Sequence, residues 1–271
     1  MLRSLFITAT VATALTAAGL AAQTRDRGNN RSGNTSCADY GGSDRASYCE
    51  VREATIGGAN PLDIDAGRNG GIRVHGWDRG DVLVRARIIG QADTDAEARQ
   101  MVSGVRVDTT GGSVKAEGPD ASGENSWSVS FELQVPRTAL LTLSTRNGGI
   151  TIDDFRGTAK FRAQNGGVTL RDVAGDIRGE TTNGGVTVDL SGDHWDGAGL
   201  DVETHNGGIR LTLPANYSAE LETATTHGRV NVDFPMTVQG SIGRTLTTTL
   251  GAGGAKLRAV TTNGGVSIRR R

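Results

Sequence analysis

The chain has little of what most sites of chemistry are built from. Its 271 residues include 2 cysteines, 4 histidines, 3 methionines and 5 prolines, and aromatic side chains make up 4%. No Gly-x-Ser-x-Gly elbow, His-Glu-x-x-His pair or phosphate-binding loop occurs, so the common hydrolase, zinc-peptidase and nucleotide-binding patterns are missing. The histidines (His75, His194, His205 and His227) are dispersed. His205 and His227 occupy or flank the turn position of successive repeats, where a polar turn residue is the simplest reading, and a metal pair there lacks a third protein ligand. No metal or other cofactor is expected. Lys and Arg number 29 against 30 Asp and Glu. That balance offers no electrostatic footprint for nucleic acid.

Long apolar runs are absent too, except at the start. Arg3 supplies a positive head, Leu5 to Leu20 an apolar core, and Gly19 to Ala22 a small-residue cleavage site. Residues 1–22 therefore read as a secretory signal. Thr8, Thr10, Thr13 and Thr16 interrupt the apolar run, which is short for a membrane anchor. Cleavage would remove one basic residue, Arg3, leaving 28 basic against 30 acidic groups. In an oxidising compartment the lone pair Cys37 and Cys49 reads as a disulfide. It would contribute about 3 kcal/mol if the closed loop were about 15 residues. Residues 23–54 are polar, a tether carrying that Cys37–Cys49 loop, because such a composition buries too little to offset ordering entropy.

What the chain has in abundance is glycine, 40 residues of it, and one phrase repeated. Asn147-Gly148-Gly149-Ile150, Asn165-Gly166-Gly167-Val168 and Asn183-Gly184-Gly185-Val186 follow one another at intervals of 18 residues. The phrase returns at Asn206-Gly207-Gly208-Ile209 after 23 residues, and again at Asn263-Gly264-Gly265-Val266. A degraded copy lies at His227-Gly228-Arg229-Val230 and an early one at Asn69-Gly70-Gly71-Ile72. A fixed period marks a repeat architecture. Asn and Gly tolerate positive φ, so each phrase reads as a turn. The flanks alternate apolar and polar, the period of half-buried strands.

Two all-β architectures fit. Asn-Gly between alternating runs is a hairpin signal and would give an antiparallel meander or sandwich. The in-register columns Ile150, Val168, Val186, Ile209, Val230, Val266 and Ile152, Leu170, Val188, Leu211, Val232, Ile268 favour a right-handed single-stranded β-solenoid, each coil seated on the last. The scarcity of aromatics suits its thin core. Residues 55–136 read as opening strands plus a cap, and residues 137–271 as the repeat region, with 55–271 one continuous domain. One helix is expected, N-capped at Thr94 with Glu97 completing a capping box. Ala96, Met101 and Val102 would form its buried side and Gly104 its stop. Arg269-Arg270-Arg271 would place charge on the last exposed edge.

The signal, the strands, one Ala-rich helix and the Asn-Gly-Gly-φ-x-φ repeats (φ apolar), closing on Gly251-Ala252-Gly253-Gly254 and Thr261-Thr262-Asn263-Gly264-Gly265-Val266, resemble a known family. It is the bacterial putative-adhesin family of exported β-strand-repeat domains of unknown function. The resemblance covers roughly residues 55–271 and implies an exported β-solenoid with no established enzyme activity.

Candidate site residues are few. The loop from Asp189 to Gly197 lengthens one repeat and gathers Asp193, His194, Trp195 and Asp196, but lacks the spacing of an EF-hand. It reads as a solvated loop before it reads as a calcium or sugar site. Asp153, Asp154, Asp172 and Asp189 follow successive repeats and are the carboxylates a polysaccharide-cleaving β-helix enzyme would use. Chance placement at strand ends explains them more simply. The leading reading is a non-enzymatic periplasmic, outer-surface or secreted protein whose solenoid face contacts a macromolecule or polysaccharide. The alternative is a periplasmic accessory of a signalling or assembly system.

Overall fold

The computed structural model describes residues 37, 45–58, 60–120, 125–233 and 243–271. The expected signal and most of the expected tether lie outside them. The opening strands are β1 (Ala46–Ile56), β2 (Leu62–Asp65), β3 (Ile72–Trp77) and β4 (Val82–Ala92). Helix α1 (Asp95–Gly104) and strands β5 (Arg106–Asp108), β6 (Ser113–Glu117) and β7 (Ser126–Pro136) follow. Six strands come next, β8 (Leu140–Asn147), β9 (Ile150–Asp153), β10 (Thr158–Asn165), β11 (Val168–Arg171), β12 (Asp176–Asn183) and β13 (Val186–Asp189). The last are β14 (Gly199–Asn206), β15 (Ile209–Leu213), β16 (Ala219–His227), β17 (Val230–Val232), β18 (Thr245–Leu250), β19 (Lys256–Asn263) and β20 (Val266–Arg270).

These strands build two ten-stranded sheets. Each coil gives one strand to each sheet, with Asn-Gly-Gly at the corner between them. The two strands flanking a phrase, β10 and β11 for example, belong to different sheets. The phrase is therefore no hairpin, and the meander is excluded. Val168 pairs in parallel with Ile150 on one side and Val186 on the other. Asn165 stands likewise between Asn147 and Asn183. Inward residues of both sheets form one buried cluster. Ile150, Ile152, Val168, Leu170, Val186 and Val188 are each 0–1% exposed, and burying each is worth about 1.5–3 kcal/mol.

The corner is made by three ladders. Asn carboxamides donate from coil to coil: Asn147 to Asn69 at 3.0 Å, Asn165 to Asn147 and Asn183 to Asn165 at 2.8 Å, Asn206 to Asn183 at 2.9 Å and Asn263 to Asn206 at 2.8 Å. Beside them the hydroxyls of Thr145, Thr181, Thr204, Thr261 and Thr225 donate to the carbonyls of Gly70, Gly166, Gly184, Gly207 and Gly264 at 2.6–2.8 Å. The third ladder is glycine. A Cβ at Gly148, Gly166, Gly184 or Gly207 would lie 2.0–2.1 Å from the neighbouring coil's glycine oxygen. Positive φ was the expected reason for these glycines, and it is not the reason. None of the four has one; the need is for bare backbone where coils touch.

The stack departs from sequence order. The first sheet runs β1-β4-β7-β3-β9-β11-β13-β15-β20-β17, and the second β18-β16-β19-β14-β12-β10-β8-β2-β6-β5. The C-terminal coil, β19–β20, thus lies between the β14–β15 coil and the β16–β17 coil. The expectation of strictly serial stacking fails here. The sheet's edge strand here is β17 rather than β20, and its pairing covers Val266–Ile268 and stops short of Arg269–Arg271.

At the other end antiparallel strands close the sheets. β4 pairs antiparallel with β1 and β7, and β5 with β6. The expected tether overlaps this cap, because β1 pairs with β4 along all 11 of its residues. Cys37 is joined to Cys49 of β1, with Cα atoms 5.7 Å apart. Helix α1 starts on the expected Thr94–Glu97 capping box. Its buried residues are Ala98, Met101 and Val102, with Ala96 exposed instead. No basic residue lies in its last turn. Arg52 of β1 supplies one, donating to the carbonyls of Val102 at 2.9 Å and Val105, where cations favour a helix C-terminus.

Candidate functional site

Parallel in-register coils turn every outward position into a column, so the surface is a set of rows about 4.8 Å apart. On the first sheet one column reads Arg73, Thr151, Thr169, Thr187, Arg210, Ser267, Asn231. The next reads His75, Asp153, Arg171, Asp189, Thr212, Arg269. Arg171 Nη1 contacts Asp153 at 3.1 Å. Where short Ser267 and Asn231 follow long Arg210, a depression of about 270 Å³ opens beside Thr187, floored by Gly208 and Gly265. The only large apolar side chain exposed among the described residues is Leu140, at 43%. Both faces are therefore polar.

The second sheet's face is charged as well. Lys160, Arg162, Arg178, Glu180, Asp201 and Glu203 rim a depression of about 290 Å³. Arg162 meets Glu180 at 2.8 Å and Arg178 meets Asp176 at 2.8 Å. Arg258 of the intercalated coil reaches Asp201 at 2.6 Å and Glu203 on one side, and Glu222 at 3.5 Å on the other. Burial alone would lower the Arg258 pKa, but hydrogen bonds to Glu203 and Asp201 outweigh it and raise it well above its ordinary value. Glu222 is held below the usual carboxylate range, chiefly by its hydrogen bond from Lys256. Sequence reading missed this cluster because its members lie on coils far apart in the chain. Their pairing follows only from the intercalated order.

The loop 189–197 is a buttress. Trp195 is buried, 4% exposed, and donates from Nε1 to the Gly175 carbonyl at 3.0 Å. The Asp196 carbonyl accepts from Gly175 N and the Asp193 carbonyl from Ser218 N, both at 2.7 Å. Asp193 and His194 are exposed and meet each other at 2.6 Å, which lowers the Asp193 pKa. Nearby, burial pushes the Tyr217 hydroxyl up to about 12. Trp195 faces the core, so the four residues singled out in sequence do not form one surface.

Of the four aspartates, Asp153 and Asp189 stand on either side of Arg171 in one register column. Asp153 is engaged by Arg171. Asp154 lies 3.5 Å from Arg137 and 3.8 Å from His75. Asp154 and Asp172 adopt φ of 56° and 50° at equivalent corners, a conformation Asp tolerates better than most residues. Backbone geometry accounts for Asp154 and Asp172. Among the described residues no group of three His, Cys, Asp or Glu could hold a metal ion. His227 pairs in register with Asn263 and stands where the asparagine ladder ends.

The fold and these faces define a class: a capped, two-sheet β-solenoid that displays ordered rows of polar side chains. The family model of Toastrack DUF4097 matches residues 91–269, and the chain belongs to that family. No curated protein matches it. Solved structures similar in fold include a putative cell adhesion protein from Clostridium sporogenes, 12% identical, with a TM-score of 0.44 over 83% of this chain and all of that one. A putative adhesin from Bacteroides fragilis is 11% identical, with a TM-score of 0.36 over 83% of this chain and 97% of the other. A putative lipid binding protein from Parabacteroides distasonis is 13% identical, with a TM-score of 0.35 over 82% and 96%.

Proposed function

We propose that the protein is a non-enzymatic, exported envelope or cell-surface component that binds an extended polymer along the outward face of its first sheet. The observation that carries this reading is the in-register column Thr151, Thr169, Thr187, continued by Arg210, Ser267 and Asn231. A row of hydroxyl, guanidinium and amide groups at one strand spacing offers repeated hydrogen bonds to a ligand that is itself repetitive. A polysaccharide is the class that matches. A shallow depression rather than an enclosed pocket suits a chain more than a small molecule. The disulfide to Cys49 supports export, being stable in an oxidising compartment.

A glycan array with the mature protein tests this, followed by a reducing-end assay on each hit. Binding that Thr187→Lys and Arg210→Glu abolish, with melting unchanged and no new reducing ends, is the expected result. Failure to retain any polymer, or release of reducing ends, refutes it. Mass spectrometry of exported material tests the localisation: it should begin near residue 23 and carry no free thiol.

A further inference from the structure

The last coil is a separable piece set into the stack from outside. β19 pairs in parallel with β14 on one side and β16 on the other, and β20 with β15 and β17. The coils flanking it, β14–β15 and β16–β17, are consecutive in the chain yet do not pair with each other. They form a slot. Its walls carry Asp201 and Glu203 on one side and Glu222 on the other, and the inserted coil brings Arg258 and Lys256 between them. An empty slot would leave like charges facing one another, which disfavours collapse of its walls. Leu257, Ala259, Val266 and Ile268 of the inserted coil are 0–2% exposed, so its apolar face fills the core. The strand arrives from β18 through Gly251-Ala252-Gly253-Gly254-Ala255, with φ of 53°, 78° and 129° at the three glycines.

We propose that the slot accepts this coil equally well from a second copy of the chain, so that two molecules form a dimer by reciprocal exchange of residues 255–271. Every contact of the inserted coil is recreated in the exchanged form. Only the connector changes course, which makes exchange of an identical element a low-cost route to a dimer. A short hinge next to a terminal element favours it further.

Removal of Gly251–Gly254 from the full chain is the direct test. β18 and β19 are separated by β16, so their joined ends lie about 9.6 Å apart at two strand spacings. The single remaining linker residue, Ala255, spans at most about 7.6 Å. The coil then cannot reach its own slot but can reach a neighbour's. The expected product is a folded dimer, with a light-scattering mass twice that of one shortened chain. A folded monomer, or a chain with no cooperative melt, overturns the proposal. A second experiment leaves the connector intact. One chain carries Lys256→Glu and Arg258→Glu, and another carries Asp201→Lys, Glu203→Lys and Glu222→Lys. Each alone mismatches its own slot, whereas exchange between them matches both. Co-refolding should give a one-to-one heterodimer melting above either variant. Two unassociated monomers with unchanged separate melting temperatures would overturn it.

Discussion

Gly166→Ala is the substitution that most directly probes why the coils stack so closely. The added Cβ would sit 2.0 Å from the Gly148 oxygen and 2.4 Å from its carbonyl carbon. Both are backbone atoms, so no side chain can swing aside and the coils must part by about an ångström to reach ordinary contact. That separation strains the bonds crossing the same seam: Gly148 N to Asn165 O at 3.1 Å, Ile150 N to Gly167 O at 3.0 Å, and the Asn165–Asn147 carboxamide bond at 2.8 Å. At about 0.5–1.5 kcal/mol for each, losing all three costs about 1.5–4.5 kcal/mol. For a domain of this size that is a fall in Tm of about 3–18 °C, at about 2–4 °C per kcal/mol. The control is one residue away. A Cβ on Gly167 would meet the Gly185 oxygen at 3.3 Å, a contact a few tenths of an ångström relieves. Differential scanning calorimetry of the two variants decides the matter. Equal Tm values at 166 and 167 would refute the close-approach argument.

Other consequences follow from the same seams. Ala163 interrupts the threonine ladder between Thr145 and Thr181, so Ala163→Thr should add a bond to the Gly148 carbonyl and raise Tm by about 1–6 °C; no rise would mean the position is already tightly filled. Deleting Val168–Gly185, one whole repeat, should leave a shorter protein with β circular dichroism and a cooperative melt, as nearest-neighbour stacking requires; an unfolded product would count against modular coils. The depressed pKa of Glu222 stabilises the fold above the ordinary Glu pKa of about 4.3 and is lost as pH falls through the lower folded value. Thermal melts between about pH 6 and pH 3 should therefore decline less for Glu222→Gln than for the parent, and parallel curves would remove Glu222 from the account.

Register was the legible part of this fold. Val168, Leu170 and their counterparts recur at a constant interval because each must land on its neighbour, so spacing in sequence is position in the stack. Order was not legible. The coils at Val230 and Val266 present the same φ-x-φ face, and nothing local says which sits against Ile209. The Arg258 cluster accompanies the observed order, and it exists only after assembly. Asn-Gly-Gly was readable as a corner but not as a close contact, since both demands select glycine. Trp195 was misplaced for a related reason. Surrounded by Asp193, His194 and Asp196 it looks solvated, yet its ring covers the core where the longer coil needs filling. Tyr48, Cys49 and Val51 were the faint signal that the tether ends early, in a strand whose inward residues are half-buried.

The corner ladder also bears on how the protein ages. An asparagine followed by glycine is prone to ring closure, in which the glycine amide nitrogen attacks the side-chain carbonyl carbon, ammonia leaves, and water opens the imide to aspartate or isoaspartate. This chain carries that dipeptide at Asn69, Asn147, Asn165, Asn183, Asn206 and Asn263. In the folded state the attacking nitrogens of Gly70, Gly148, Gly166, Gly184, Gly207 and Gly264 each donate to a carbonyl of the adjoining coil at 3.0–3.1 Å, so the nucleophile is occupied. Stacking thus shields six chemical weak points that unfolding would release together. Peptide mass spectrometry after incubation at mildly alkaline pH should find them intact in folded protein and converted in urea; equal conversion in both would show that the ladder offers no shelter. A molecule that has opened for long enough would return with carboxylates in its asparagine rows.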